Sequence, residues 1–337
     1  MIHLRRGKIS VRDLVEFVLR SGDIDNRRTS LHNAQEGARI HRKLQKEAGE
    51  NYQKEVFLKT NYPFAKDSIQ IEGRADGIFQ KEGSWVIDEI KTSASAFEEI
   101  NPAKKELFFA QGMVYAYIYL LQNQLDSIKV RLTYFQTTTE QISYEIRDYA
   151  AEELRSFLEN LMTEYSRWLI FQDNWRRVRN TSLERLMFPY ENYRKGQREL
   201  AIVAYKALKT QKKLFAEAPT GTGKTISTLF PALKVLGEEQ AERIFYLTAK
   251  PITRSVAEDA FKVLQDTGAD LKSVTLTAKD KICFLDERLC NPVDCRYANG
   301  YYNRINEALW DLLHHENQMT REVIESYARK HTICPFE

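Results

Sequence analysis

Apolar residues in the first half of the chain change their repeat twice. "SVRDLVEFVLRSG" and "NAQEGARIHRKLQKEA" recur at the spacing of a helix face, about 3.6 residues. The first stops at Gly22, and the second carries Gly37, His41 and Leu44 along one side. "EVFLKTNYPF", "IQIEGRADGIFQKEG" and "WVIDEIKT" are short apolar stretches punctuated by turn residues and predict strands. An apolar helix over "ELFFAQGMVYAYIYLLQ", a hairpin over "KVRLTYFQTTTEQISYEI" and a long helix over "AAEELRSFLENLMTEYSRWLIFQDNWRRVRN" complete this part. Its boundary falls near residue 180.

The second half alternates in the manner of a parallel α/β sheet. "KKLFAEA" predicts a strand, "GKTISTLFPALKVLG" a helix, "RIFYLTA" a strand, and "PITRSVAEDAFKVLQDTG" a helix opened by Pro251. After "SVTLTA" the rhythm gives way to a cysteine-bearing stretch and the helical "YNRINEALWDLLHHE", which has the look of an insertion. The expected fold is therefore α/β throughout, with divisions at 1–180, 181–279 and 280–337.

Composition changes this picture little: 337 residues, 43% hydrophobic and 29% charged, describe a globular chain long enough for two cores. The net charge of +3 names no partner, but residues 176–213 hold eleven Lys or Arg against Glu184, Glu191 and Glu199. Phosphate binding is the sharper reading of that excess, and a solvated helix face the plainer one. No apolar run approaches the roughly 20 residues that span a bilayer, and the N-terminus lacks the apolar core of a signal peptide, so a cytoplasmic protein without membrane contact is expected. All four cysteines lie in the last 55 residues, which in a reducing compartment favours a metal or cluster over disulfides.

Three constellations carry chemistry. "APTGTGKT" follows a predicted strand and opens a predicted helix, the setting of a phosphate-binding loop. Gly221, Thr222 and Gly223 would let backbone N–H groups curl around phosphate oxygens, Lys224 would reach the β and γ phosphates, and Thr225 would give a hydroxyl to Mg²⁺. Ala218 stands where the general pattern has Gly, a variant that resembles superfamily 2 helicases. "FPYENYRKGQREL", upstream, resembles their adenine-reading Q motif, which implies Gln197 at the base edge with Arg194 in support. "YLTAK" resembles the motif that touches the nucleic-acid backbone, through Thr248 and the adjacent loop.

The second constellation is Cys283, Cys290, Cys295 and Cys334, with no histidine at ligand spacing between them. Four thiolates suit tetrahedral Zn²⁺ or a [4Fe–4S] cluster, and spacing barely separates the two. A four-cysteine insertion after the second strand of a helicase motor, ending in "CPFE", resembles the XPD/DinG family of iron–sulfur DNA helicases. That resemblance covers residues 185–337 and implies a cluster held by the four cysteines beside a path for single-stranded DNA. No DEAH-like Walker B follows Lys224 and no second motor half is found, so an incomplete motor with little ATPase activity of its own is expected.

The third is "VIDEIKT". Side chains alternate along a strand, so Glu89 and Lys91 project to one face and Asp88 to the other. Asp76 in "GRADGIF" offers a second carboxylate, and two converging carboxylates with a lysine can hold a hard divalent cation at a phosphodiester. Asp76, Glu89 and Lys91 resemble the PD-(D/E)xK nuclease fold. With His41 on the preceding helix, and with Gln111 and Tyr115 four apart on the following one, the order is similar to the RecB-type branch, including CRISPR-adaptation nucleases. The resemblance implies Mg²⁺ or Mn²⁺ held by His41, Asp76 and Glu89, and DNA held in part by Gln111 and Tyr115. Those adaptation nucleases often carry cluster cysteines of their own, whereas here the first 180 residues have none. The combined expectation is an ATP-dependent DNA helicase joined to a metal-dependent DNA nuclease, with ATP, Mg²⁺ or Mn²⁺ and [4Fe–4S] as cofactors and DNA, single-stranded or tailed, as partner. The alternatives are a non-cleaving DNA-binding scaffold and an RNA-directed helicase with a zinc module.

Overall fold

A computed structural model describes residues 7–27, 32–65, 67–248 and 251–337. They group into two compact units: the first comprises residues up to Ile170 with Leu276–His314 and Arg321–Glu337, the second Phe171–Thr275 with His315–Thr320. The cysteine-bearing residues thus pack with the N-terminal half of the chain.

The first unit is built on a six-stranded mixed sheet. β1 (Lys8–Ser10) leads straight into α1 (Val11–Val18), whose first turn is capped by the Ser10 hydroxyl accepting from the Asp13 N–H at 3.0 Å. After α2 (His32–Glu47) come β2 (Gln53–Phe64), β3 (Asp67–Lys81) and β4 (Ser84–Ser93), all antiparallel neighbours in turn. Then α3 (Pro102–Asn123) crosses to β5 (Ser127–Gln136), which lies parallel to β4 and forms a hairpin with β6 (Ile142–Ala150). Asn101 caps α3 through its side chain, and Pro102 fills the first turn, where a missing N–H costs nothing.

β4 is buried on both faces, which is why its run is apolar apart from its charges. Phe109, Val114 and Ile118 of α3 pack fully buried against Ile87, Val130 and Leu132, each contributing on the order of 1.5–3 kcal/mol by area burial. On the face away from Glu89, Asp88 is 1% exposed. Its carboxylate takes a bidentate Arg131 guanidinium at 2.9 and 2.7 Å, the Thr133 hydroxyl at 2.6 Å and the Tyr52 hydroxyl at 2.7 Å. The opposed directions expected of Asp88 and Glu89 are thus realised, and the inner acid is a fully satisfied structural anchor.

The second unit holds the end of α4 (Ala151–Arg185), α5 (Gln197–Lys209), α6 (Lys224–Gly237) and α7 (Pro251–Asp266). Leu183, Leu186, Leu229, Leu233 and Leu264 form its core. Among this unit's described residues only one strand pair is present, β7 (Ser273–Val274) parallel to β8 (Gln318–Met319). The expected strands over 212–218 and 243–249 are not formed among the described residues: 212–218 and 243–248 are irregular, with Phe215 94% and Leu247 89% exposed. A parallel strand gains its stability from hydrogen-bonded neighbours, and neither segment has a strand beside it here. Ala249 and Lys250 of "YLTAK" lie outside the described residues.

The C-terminal portion of the first unit consists of α8 (Tyr301–His315), α9 (Arg321–His331) and the cysteine-bearing loops. It is stitched to residues 20–26, the segment that leaves α1. Ile24 N–H donates to the Ala298 carbonyl at 3.0 Å, Asn26 N–H to the Cys290 carbonyl at 3.1 Å, and Gly300 N–H to Asp23 Oδ1 at 2.6 Å. Trp310 meets Trp168 edge-on at 5.1 Å between centroids.

Candidate functional site

Asp76 sits where the β3 ladders are interrupted. Toward β4 the pairing ends at Gly77 opposite Asp88. Toward β2 it passes from Lys54 opposite Gly77 to Val56 opposite Ala75, skipping Asp76. The strands splay, and Asp76 Oδ2 accepts the Ile90 N–H at 2.7 Å. That bond turns Asp76 toward the face carrying Glu89.

His41 of α2 brings Nδ1 to 3.4 Å from Asp76 Oδ1. α2 approaches β4 closely because Gly37 has no side chain: a Cβ there would meet Thr92 Oγ1 at 3.3 Å. Lys91 Nζ lies 2.6 Å from Glu89 Oε1 and donates to Gln111 Oε1 at 3.0 Å. Tyr115, one turn beyond Gln111, is 6% exposed, with its hydroxyl against Gly73, where a Cβ would stand 2.5 Å away. Every residue expected of the nuclease-type site is therefore in one neighbourhood. Gln111 holds the lysine, and Tyr115 floors the site.

Burial dominates the electrostatics of the site. Burial pushes the Glu89 carboxyl up to about 7; Lys91 opposes this rise and Asp76 adds to it. The Tyr115 phenol is also raised, by burial first and then by Glu89 and Asp76. A cation would relieve both. Among the described residues, however, no three His, Cys, Asp or Glu side chains stand in the arrangement that holds a metal ion. Lys91 itself occupies one oxygen of Glu89, and an ion would have to displace or share that contact.

The nucleotide loop is formed within the second unit. Gly221 and Gly223 have φ of +84° and +73°, a region open to glycine, and α6 begins at Lys224. Lys224 Nζ donates to the carbonyls of Ala218 at 2.7 Å and Pro219 at 3.1 Å, folding across the loop. Arg194 donates to the Gly221 carbonyl at 2.7 Å, while Gln197, 2% exposed, accepts the Arg194 N–H at 2.9 Å. A Cβ on Gly223 would meet the Gln197 amide at 2.3 Å, so Gln197 braces the loop from beneath. Thr222 donates its hydroxyl to the Pro219 carbonyl at 2.9 Å, and the Tyr246 hydroxyl reaches Thr225 Oγ1 at 3.3 Å.

Cys283, Cys290, Cys295 and Cys334 line one small cavity of about 20 Å³ together with Ile24, Lys279 and Arg288. That is room for about one water. The cysteines are free thiols and, like the nuclease-type residues, do not form a metal-holding group among the described residues. The expected iron–sulfur insertion is thus not shown: the loops bring four thiols to a common space without closing them around a ligand-sized centre. The Cys334 thiol is raised by burial.

Sequence reasoning missed Gln45 and Glu55. Gln45 is one helical turn beyond His41 and donates to the Asp76 carbonyl at 2.9 Å. The i,i+4 spacing from His41 was the available signal. Tyr246 was missed as a neighbour of Thr225 because only the packing of the loops shows it.

The profile of the PD-(D/E)XK nuclease superfamily matches residues 12–214, more than half of the chain. The chain belongs to this superfamily. In this nuclease-superfamily chain a DEAD/DEAH box helicase domain is also present, matched over residues 198–319. A probable ATP-dependent helicase of Methanocaldococcus jannaschii is 39% identical over 61 residues, 18% of this chain and 9% of that protein. The chain therefore aligns with only a small part of that relative's length. A solved structure titled "Crystal structure of SSO0001" is 21% identical, covers 47% of this chain and 76% of its own, and superposes with a TM-score of 0.30, a likeness too slight to bear on function. Among the described residues no helix is long and apolar enough to cross a membrane.

Proposed function

We propose that this chain carries the nuclease and nucleotide-loop functions of an ATP-dependent DNA helicase that cleaves DNA with a divalent metal, acting on single-stranded or tailed DNA in repair or processing. The observation that carries the nuclease reading is the convergence of His41, Asp76, Glu89 and Lys91 at the interrupted ladder between β3 and β4. Two carboxylates are hard oxygen donors suited to Mg²⁺ or Mn²⁺, with the imidazole a borderline nitrogen donor beside them, and a bound cation would favour the charged form of Glu89 that burial disfavours. A divalent ion bound by His41, Asp76 and Glu89 would supply a polarised phosphate and an acidified water. Lys91, steadied by Gln111, would stabilise the developing negative charge on the phosphate oxygens. Tyr115, buried against Gly73 of β3, would keep that part of the sheet rigid.

In the motor part, Arg194 and Gln197 brace the loop at the start of α6, where helix N–H groups would meet phosphate. Lys224 would exchange the two carbonyls it now contacts for nucleotide phosphates, with Thr225 at Mg²⁺. The excess of basic residues over 176–213 supports an affinity for nucleic-acid backbone.

The four thiols fit a [4Fe–4S] cluster by donor type, and Lys279 and Arg288 on the cavity wall would offset its negative charge. The cavity must widen to admit it. Iron and acid-labile sulfide determination on anaerobically purified protein tests this, four of each per chain being expected; one zinc and no sulfide would select the zinc module instead.

The nuclease reading is tested by Mn²⁺-dependent cleavage of single-stranded DNA. Lys91→Ala should lose about 10²–10³ in rate. Equal cleavage by both proteins, or none by either, would leave a DNA-binding scaffold.

A further inference from the structure

We infer that Gln45 and Glu55 are a positioning pair that fixes Asp76 and His41 relative to one another. Glu55 lies inside the twelve-residue strand β2 yet has φ +53°, a conformation that a non-glycine residue adopts in a regular strand only when its surroundings impose it. The consequence is local. Lys54 and Val56 keep their partners Gly77 and Ala75, while Glu55 and Asp76, which should face each other between them, are not paired. The register therefore gives Asp76 no partner on β2.

Gln45 takes up the Asp76 carbonyl. Its side chain is 6% exposed, and Nε2 donates at 2.9 Å both to the Asp76 carbonyl and to Glu55 Oε1. One buried amide thus ties α2, β2 and β3 together at the residue that carries the candidate carboxylate. His41 stands on the same face of α2 one turn earlier, with Nδ1 3.4 Å from Asp76 Oδ1. A helix that slid or rolled against β3 would break the Gln45 bonds first and separate the imidazole from the acid. Glu55 supplies a charged acceptor that holds the amide in the orientation reaching Asp76. The irregularity in β2 is therefore explained as the means of exposing one carbonyl to one amide.

This inference rests on the metal site proposed above, so the experiment separates the two. Mn²⁺ affinity of the full chain is measured by calorimetry and by the loss of free-ion EPR signal for wild type, Asp76→Ala, Gln45→Leu and Glu55→Gln, with melting temperatures alongside. Gln45→Leu keeps the volume and removes both donated bonds; a 10- to 100-fold weaker Mn²⁺ affinity is expected, with cleavage recovering as Mn²⁺ is raised. Glu55→Gln keeps an acceptor and should stay within about 3-fold of wild type. If Gln45→Leu does not fold, Glu55→Ala at an exposed position carries the test, with an affinity about 3- to 10-fold weaker expected. A wild type that binds no Mn²⁺ removes the metal site and this inference with it. Wild-type binding abolished by Asp76→Ala but unchanged by Gln45→Leu, or in its place by Glu55→Ala, overturns the inference alone.

Discussion

Glu89 is the residue at which the chemistry and the stability of the fold meet. Its carboxyl ordinarily titrates at 4.5 and is pushed up to about 7 in the folded chain, by burial before any other cause. Between those values the folded protein holds a proton that the unfolded chain has released. The associated stability is complete below about 4.5 and lost as pH rises toward 7. The melting temperature of metal-free protein should fall over that window, and Glu89→Gln, which has no proton to lose, should flatten the fall. A melting curve against pH in the presence of a chelator checks this. Mn²⁺ should restore the loss in the wild type only, because a cation favours the charged carboxylate that the variant lacks.

At the scale of elements, the order of strands and helices around β3 and β4 is legible because each carries its own period and ends at its own turn residues. Strand alternation alone separates Glu89 and Lys91 from Asp88, and the satisfied network around Asp88 shows what the inner acid is for. Asp88→Ala leaves the Arg131 guanidinium without its bidentate partner beneath the sheet, and should cost about 3–5 kcal/mol in denaturant unfolding. Gly73→Ala, whose new methyl would meet the Tyr115 hydroxyl at 2.5 Å, should cost about 1–3 kcal/mol by the same measurement. What a local period does not reveal is whether a strand will find neighbours. Residues 212–218 and 243–248 have the composition of buried parallel strands but lie irregular and largely exposed, since pairing is a non-local event. Glu55 was illegible for a related reason: its left-handed backbone comes from what packs around β2, and nothing in the residue type announces it. The cysteine spacing, likewise, shows how far apart the thiols are along the chain and not how they face one another.

For the molecule as a whole, the unexpected feature is that the cysteine-bearing portion packs with the nuclease fold. Ile24, on the segment between α1 and α2, belongs to the wall of the cysteine-lined cavity, and that same segment leads to the helix bearing His41. The attachment has a polar and an apolar part. Asp23 accepts the Gly300 N–H immediately before α8, where a carboxylate also meets the positive end of the helix. Trp310 of α8 packs on Trp168 of α4, with the Arg167 guanidinium 3.7 Å from the Trp310 ring centre. If the two portions form one cooperative body, loosening α8 should be felt in α1. Trp310→Ala removes a large aromatic surface and should cost about 3 kcal/mol, whereas Asp23→Ala should cost about 1 kcal/mol. Native-state hydrogen exchange reads the difference by location: in Trp310→Ala, protection should fall together in α1, in the first half of α4 and in α8. A fall confined to α8 would mean that the cysteine-bearing portion opens on its own, and that nothing bound among its thiols could influence the site at His41.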